Sequence, residues 1–201
     1  MAILPIYVYN QPVLRKKAKP VRSVDGELIK FIEDMFETMH KASGIGLAAN
    51  QVGSLQRVIV VDISEIVKEK LESGEADAED FFPEEGAPIV MINPVVLQEE
   101  GEFVMEEGCL SIPDIREEVK RAEAIQVKYK DLNMRDNELY ADGLFARVIL
   151  HEIDHLNGVL FIDRLGKVKQ KLLKGRLNKI RRGEIEVSYP IVTEAVGLNK
   201  E

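Results

Sequence analysis

The sequence contains no tryptophan and a single cysteine in 201 residues. One cysteine excludes an internal disulfide, and with it the small disulfide-bonded scaffolds of many secreted proteins. No apolar run approaches the roughly 18 to 20 residues that span a bilayer, so we expect no membrane contact. The opening segment has Pro5 and Pro12 within its apolar part and its basic residues after it, unlike a signal peptide. We therefore expect a cytoplasmic protein.

Basic residues are fewer than acidic ones, with 27 Lys plus Arg against 35 Asp plus Glu and a formal net charge of −8. This balance argues against a protein that coats DNA or lies on an anionic membrane. The charge is unevenly spread, however. Residues 65–86 carry nine acids and two bases and are predicted to be a solvated insertion, whereas residues 165–182 carry eight bases and no acid.

Apolar periodicity predicts the secondary structure. Helical spacing of apolar residues occurs in three segments, at 25–42, at about 142–157 and at about 165–182. Strand-like segments lie between the helices, at 57–63, 88–97, 102–113, 123–132 and 137–142. Strands in the middle of the chain and helices towards its ends predict an α+β fold with mostly antiparallel sheets. The length suits one domain over 1–201, in which the acidic insertion and the basic C-terminal helix and tail are local features.

The sharpest local motif is HEIDH at residues 151–155, within a segment that reads as helical. Positions i and i+4 share one face of a helix, so His151 and His155 point the same way and are placed to bind one metal ion. Glu152 lies beside the first ligand and is placed to reach a water molecule at the metal. The apolar flanks of the motif predict a buried helix, and buried polar groups of this kind need partners.

Two histidines are not a complete catalytic metal site, which usually has three protein ligands. A third histidine ten residues after the first is absent, because Phe161 stands there, and no glutamate occurs between Glu152 and Glu184. The absence of a downstream ligand argues against an ordinary metallopeptidase. His40 lies far upstream without supporting context. Cys109 is the remaining candidate, since a thiolate is a strong ligand for soft metals, although a lone cysteine is often only a small buried residue.

Three motifs occur in a fixed order: GIGLAANQVG at 44–53, EGCLSIP at 107–113 and HEIDHLNG at 151–158. Together they resemble the three signature motifs of the peptide deformylase family. The opening segment ILPIYVYNQPVLRKKAKPV is also similar to the N-terminal part of that family, so the resemblance extends from about residue 3 to about residue 182. A catalytically inactive binding module with the same fold is the rival interpretation, but no motif residue needed for catalysis is missing.

The resemblance implies a metal-dependent hydrolase that removes the N-formyl group from nascent polypeptides beginning with formyl-methionine. It implies a fold in which antiparallel sheets pack around a central helix that carries HEIDH, with one further helix towards each end of the chain. Cys109, His151 and His155 would hold one divalent metal ion, Fe²⁺ in the cell, with Zn²⁺, Ni²⁺ or Co²⁺ able to occupy the same site. Glu152 would be the general acid/base, and Gln51 and the backbone N–H of Leu110 would bind the developing oxyanion.

The same resemblance implies a substrate-binding set, which is Ile45, Gly46, Glu107, Gly108, Arg116, Leu144 and Val148. Of these, Arg116, Leu144 and Val148 would form the pocket for the methionine side chain. The partners would be nascent formyl-Met polypeptides, and the basic helix 165–182 is a candidate contact with the ribosome. The chain departs from the family in three places: Leu150 replaces a common glutamine, the acidic insertion is long, and the tail after about residue 183 lies outside the resemblance.

Overall fold

The computed structural model describes residues 2–75 and 87–194. Within these residues the helices are α1 Gly26–Lys41, α2 Ser64–Ser73, α3 Gly143–Leu156 and α4 Lys167–Arg182. The strands are β1 Ile6–Tyr7, β2 Gly46–Ala48, β3 Val58–Val61, β4 Ile89–Glu100, β5 Phe103–Cys109, β6 Ile112–Arg121, β7 Ala124–Lys130, β8 Asp136–Asp142 and β9 Ile191–Val192.

The largest sheet has five strands in the order β2-β3-β4-β7-β8, and every neighbouring pair in it is antiparallel. Strand β2 lies at one edge of this sheet. Strands β5 and β6 form a separate antiparallel hairpin, and β1 and β9 form a short parallel pair. The predicted α+β class with mostly antiparallel sheets is therefore confirmed.

Helix α3 is the buried centre of the molecule, as the resemblance implied. Every residue from Phe145 to Leu156 is buried, so the helix contacts the protein on all sides. Its apolar residues, among them Ile149 and Ile153, pack with Ile125 and Val127 of β7 in one core cluster. Burial of the whole helix forces the polar residues of HEIDH into the interior, where each needs a partner.

The two other long helices cover the remaining faces of the core. Helix α1 begins at a cap in which the Asp25 carboxylate accepts a hydrogen bond from the Leu28 N–H at 2.9 Å. Its apolar face packs against β2 and β3 in a second cluster. Helix α4 contributes Leu173, Leu177 and Ile180 to a third cluster that also includes β6 and the N-terminal segment. Among the helices of the described residues, none is both long enough and apolar enough to cross a membrane.

Two parts of the sequence-based prediction were wrong in detail. The single strand predicted at 102–113 is two strands, β5 and β6, joined by a turn at Leu110 and Ser111. The first part of the acidic insertion is helical: α2 forms over Ser64–Ser73 because Val67 reaches the core while the charged residues stay exposed. The rest of the insertion, 76–86, and the residues 195–201 lie outside the described residues. The prediction of one domain over 1–201 includes them and stays a prediction.

Candidate active site

Cys109, His151 and His155 meet at one point. Cys109 ends strand β5, whereas the two histidines lie one turn apart on α3. One ligand atom from each of the three residues lies within 4.8 Å of the others. The Cys109 Sγ is 3.1 Å from the His155 Nε2. The sequence left the third ligand open between Cys109 and His40, and His40 instead contacts Asp62 at 2.8 Å, outside this cluster.

The donor set fits a first-row transition metal. One thiolate and two imidazole nitrogens are ligands for iron, zinc, nickel or cobalt, whereas Mg²⁺ and Ca²⁺ prefer oxygen. The Nδ1 of His151 contacts the Glu107 carboxylate at 2.9 Å, which leaves its Nε2 for the metal. The carbonyl of His155 accepts a hydrogen bond from the Asn50 side chain, which ties the second motif histidine to the GIGLAANQVG segment.

The Glu107 carboxylate is buried among cationic groups. Its Oε1 accepts from the Arg121 Nε at 2.5 Å and from Arg147 at 2.9 Å, and its Oε2 accepts from Arg121 at 2.9 Å. Although burial raises it, hydrogen bonds from Arg121 and His151 hold the pKa of Glu107 well below its usual range. We therefore infer that the Glu107 side chain orients the His151 imidazole. The substrate contact predicted for Glu107 stays a prediction.

The charge network continues on the other side of Arg121. Asp154 accepts from Arg121 at 2.6 Å and from two nitrogens of Arg164 at 2.6 and 2.7 Å. The fourth residue of HEIDH thus anchors α3 to β6 and to the segment that precedes α4. Sequence reasoning missed this network, because Arg121, Arg147 and Arg164 belong to no motif. The signal that could have found part of it is the predicted burial of the HEIDH helix, which contains Asp154, since a buried carboxylate requires a cationic partner.

Glu152 is buried in the same cleft. Burial raises its pKa to about 7, although the charges of His151 and Arg121 lower it. Its Oε2 has no hydrogen-bond partner among the described residues. Gly46 of β2 lies against this side chain: a Cβ at residue 46 would stand 2.6 Å from the Glu152 Oε1 and 2.7 Å from a methyl carbon of Val148. Only glycine fits at this position without displacing the carboxylate.

The amide of Gln51 has a fixed orientation. Its Oε1 accepts a hydrogen bond from the Ala48 N–H at 2.7 Å, so its Nε2 must face the other way. The Nε2 lies 3.6 Å from the Cys109 Sγ and 3.3 Å from the Ser111 Oγ. Gln51 is 1% exposed, which leaves few alternative rotamers. The side chain therefore presents a hydrogen-bond donor towards Cys109 in the cluster of candidate metal ligands.

These residues surround a cleft of about 640 Å³. Nearly all of the site residues predicted from the sequence line it, namely Ile45, Gly46, Gln51, Glu107, Gly108, Cys109, Leu110, Arg116, Leu144, Val148, His151 and Glu152. His155 lies behind them and is 1% exposed. The edge strand β2 forms one wall, and the tip of the β5–β6 hairpin forms the opposite wall. Val187 and Tyr189, from the tail that the resemblance did not cover, also line the cleft.

Comparison with known proteins gives a consistent result. The family model described as polypeptide deformylase matches residues 3–171. The peptide deformylase of Salinibacter ruber is 46% identical over 193 residues, which are 96% of this chain and 95% of that protein, and the one of Chlorobium phaeobacteroides is 46% identical over 189 residues, 94% and 95%. The first of these alignments extends beyond residue 182, so the similarity includes part of the tail.

Solved structures show the same fold. The peptide deformylase of Legionella pneumophila superposes with a TM-score of 0.77 at 38% identity and covers 91% of this chain and 98% of that one. The peptide deformylase of Ehrlichia chaffeensis gives a TM-score of 0.79 at 34% identity, with 91% and 99% covered. Together with the Cys109, His151 and His155 cluster and its cleft, these matches establish that the chain belongs to the polypeptide deformylase family, the metal-dependent hydrolases that remove the N-formyl group from nascent polypeptides.

Proposed function

We propose that this chain hydrolyses formyl-Met polypeptides to formate and a free α-amine, with Cys109, His151 and His155 as the metal ligands. The observation that carries this proposal is the convergence of the three ligand atoms within 4.8 Å, at the base of a cleft that also contains Glu152. A bound divalent ion supplies Lewis-acid activation, which lowers the pKa of water from 15.7 to roughly 7. Protein residues are proposed to transfer the proton, to bind the oxyanion and to hold the substrate.

We propose Fe²⁺ as the ion in the cell, with Zn²⁺, Ni²⁺ or Co²⁺ as replacements after purification. The mixed sulfur and nitrogen donor set supports this range of metals. A thiolate ligand that is half-buried at the end of β5 is also open to oxidation, which makes an iron form sensitive to air. Metal analysis of protein purified without oxygen, beside protein purified in air, tests this assignment.

Glu152 is the proposed general acid/base. Its carboxylate removes a proton from the attacking water and delivers it to the departing amine nitrogen. Burial raises the pKa of this carboxylate, which makes it a better proton acceptor than an exposed glutamate. The close packing of Gly46 against the Glu152 Oε1 holds the carboxylate at the floor of the cleft.

Gln51 and Leu110 are the proposed oxyanion donors. As the formyl carbon becomes tetrahedral, negative charge develops on its oxygen, and donors already aimed at that position are each worth roughly 3 kcal/mol of barrier. The hydrogen bond from the Ala48 N–H to the Gln51 Oε1 directs the Gln51 Nε2 towards the three proposed metal ligands. The Leu110 N–H donates to no backbone acceptor among the described residues, so it is available to the substrate.

The substrate is proposed to bind as an added strand. Strand β2 lies at the edge of its sheet, and Ile45 and Gly46 line the cleft on that side. Leu144 and Val148, on the first turns of α3, offer apolar surface to the methionine side chain, and Arg116 lies at the exposed rim. The formyl carbonyl carbon bears a hydrogen where an acetyl group bears a methyl, so a tight site excludes acetyl and larger groups by their size.

A formate-release assay tests the proposed function. Metal-loaded protein is expected to release formate from a formyl-Met peptide and to leave the matching acetyl-Met peptide and an internal peptide bond intact. Cleavage of an internal bond would favour the metallopeptidase alternative. Release of no formate by protein with one metal ion per chain would favour the inactive binding module.

We also propose that helix α4 docks on ribosomal RNA in the cytoplasm, where the nascent substrate emerges. Half of its basic residues are bound to the protein itself: Lys169 to Glu117, Arg176 to the Asp114 carbonyl, Arg181 to Glu194 and Arg182 to Glu184. The other four, Lys167, Lys171, Lys174 and Lys179, are exposed and make no ion pair among the described residues. These four lysines support an electrostatic contact with phosphate that weakens as salt rises.

Ribosome pelleting at low and high salt tests the docking proposal. The triple substitution Lys167→Glu, Lys171→Glu and Lys174→Glu is expected to abolish co-sedimentation at low salt. The matched control places the same three charge reversals at the exposed residues Lys16, Lys17 and Lys30. An equal loss in both variants, or no loss in either, would remove this docking surface, and enzyme found outside the cytoplasmic fraction would contradict the location.

A further inference from the structure

We propose that Tyr189 is a positioning residue for the hydrolysis, because its hydroxyl holds the carbonyl of Leu110, the residue whose own N–H is a proposed oxyanion donor. The Tyr189 hydroxyl donates a hydrogen bond to the Leu110 carbonyl at 2.9 Å. Tyr189 belongs to the segment between α4 and β9, beyond the residues that the family model matches. The inference rests on the proposed role of Leu110 and adds the residue that keeps this backbone in place.

The turn that contains Leu110 is not fixed by its own hairpin. From Phe103 to Glu107, β5 pairs with β6 in a constant register, but Cys109 pairs with Ile112, three residues out of that register. Two-residue hairpin turns that match strand twist need residues with positive φ. Neither Leu110 nor Ser111 is among the described residues with positive φ. The turn therefore depends on bonds from other parts of the chain.

Three such bonds from the described part of the chain reach the turn. The Tyr9 N–H donates to the Ser111 carbonyl at 2.8 Å, and the Gln51 Nε2 lies 3.3 Å from the Ser111 Oγ. Both of these contacts are made to Ser111. Of the three, the bond from Tyr189 is the one made to Leu110 itself. The Leu110 side chain also packs closely against Gly44.

Tyr189 is itself well anchored. Inward and exposed residues alternate along 184–190, so Ile185, Val187 and Tyr189 all face the protein. The next residue, Pro190, favours an extended Tyr189 and accepts a hydrogen bond from the Ile6 N–H at 2.9 Å. Beyond it, β9 pairs with β1. Burial also raises the pKa of Tyr189, so the hydroxyl keeps its proton and remains a donor.

The expected consequence is confined to the chemical step. If the Leu110 carbonyl is released, the turn rotates and its N–H no longer points at the developing oxyanion, which lowers kcat. The walls that bind the substrate peptide and the methionine side chain stay in place, so KM changes little. Removing an oxyanion donor outright costs roughly 10² to 10³ in kcat. A loosened donor should therefore cost roughly tenfold or more.

Tyr189→Phe tests the proposal, because it removes one oxygen and keeps the ring. The matched control is Tyr9→Phe, since Tyr9 packs in the neighbouring cluster and its hydroxyl makes no hydrogen bond within the described residues. Each metal-loaded protein is measured for metal content, melting temperature, kcat and KM on a formyl-Met peptide, and for amide hydrogen exchange of a peptide fragment that spans residues 109–112.

For Tyr189→Phe we expect one metal ion per chain, a kcat roughly tenfold lower, an unchanged KM and faster exchange across 109–112, with wild-type values for Tyr9→Phe. A wild-type kcat for Tyr189→Phe would overturn the proposal, whether or not its exchange changes. Loss of metal, or an equal fall in kcat for both variants, would overturn it too, because each indicates a merely structural role. Formate release by the wild-type protein is measured alongside, so failure of the proposed function is distinguished from failure of this inference.

Discussion

The Glu107 carboxylate lies 2.9 Å from the Nδ1 of His151, and both side chains are buried. This contact fixes which nitrogen of His151 carries the proton and therefore which one faces the metal. Two arginines, Arg121 and Arg147, hold the carboxylate from the other side. The proposed metal ligand His151 is thus oriented by a charge network that reaches from β5 through β6 to α3.

The first prediction concerns metal affinity. Glu107→Gln should weaken metal binding roughly 10- to 100-fold, because an amide orients the His151 imidazole less strongly than a carboxylate does. Chelator competition measures this change directly. Glu106→Gln is the matched control, since Glu106 is the exposed neighbour and lies 3.6 Å from Arg116 at the rim. Equal affinities for the two variants would contradict the role assigned to Glu107.

The second prediction concerns acid stability. The pKa of Glu107 is lowered in the folded protein, so its contribution to the free energy of unfolding is fully present above the unfolded value of about 4.5. The contribution is lost progressively as the pH falls below that value. Urea unfolding between pH 3 and pH 7 should show a shallower pH dependence in Glu107→Gln than in wild type. A slope as steep as that of Glu106→Gln would count against the prediction.

The third prediction concerns the close approach of β2 to α3. Gly46→Ala places a methyl group 2.6 Å from the Glu152 Oε1, so either the strand or the carboxylate must move. Because a 1 Å misplacement can cost roughly 10²-fold in rate, kcat/KM should fall by about that factor. Gly175→Ala is the control: its added Cβ meets nothing within 4 Å, and it should keep full activity and stabilise α4 by about 0.5 to 1 kcal/mol. Gly46→Ala with wild-type activity would contradict the packing described for Glu152.

The sequence predicted the long helices well, and residues of its three motifs line one cleft, because helices and motifs are both local patterns. Helix α3 has an extensive apolar surface, and its two histidines are four residues apart, a spacing that places them on the same face of a helix. The hairpin tip was missed, since its two residues, Leu110 and Ser111, are not the glycine or asparagine that would indicate a turn. Helix α2 was missed because it has one buried residue, Val67, among charged residues, which gives no clear apolar periodicity.

The contacts that hold the site residues in place could not be predicted from the sequence, for a different reason. Arg121 lies 33 residues from Asp154, and Tyr189 lies 79 residues from Leu110. Such pairs have no periodic spacing, so no local pattern marks them. Tertiary packing alone brings them together, and their roles emerge only when the buried polar atoms of the cleft are matched to their partners.

The most direct test of the account separates metal binding from proton transfer. Glu152→Ala and Cys109→Ala are each prepared without oxygen, loaded with the same metal, and measured for metal content and for formate release from a formyl-Met peptide. We expect Glu152→Ala to retain one metal ion per chain and to lose turnover, because it lacks only the general acid/base. Cys109→Ala should lose the metal itself. Retained turnover in Glu152→Ala would contradict the central claim that this carboxylate carries the proton in the reaction.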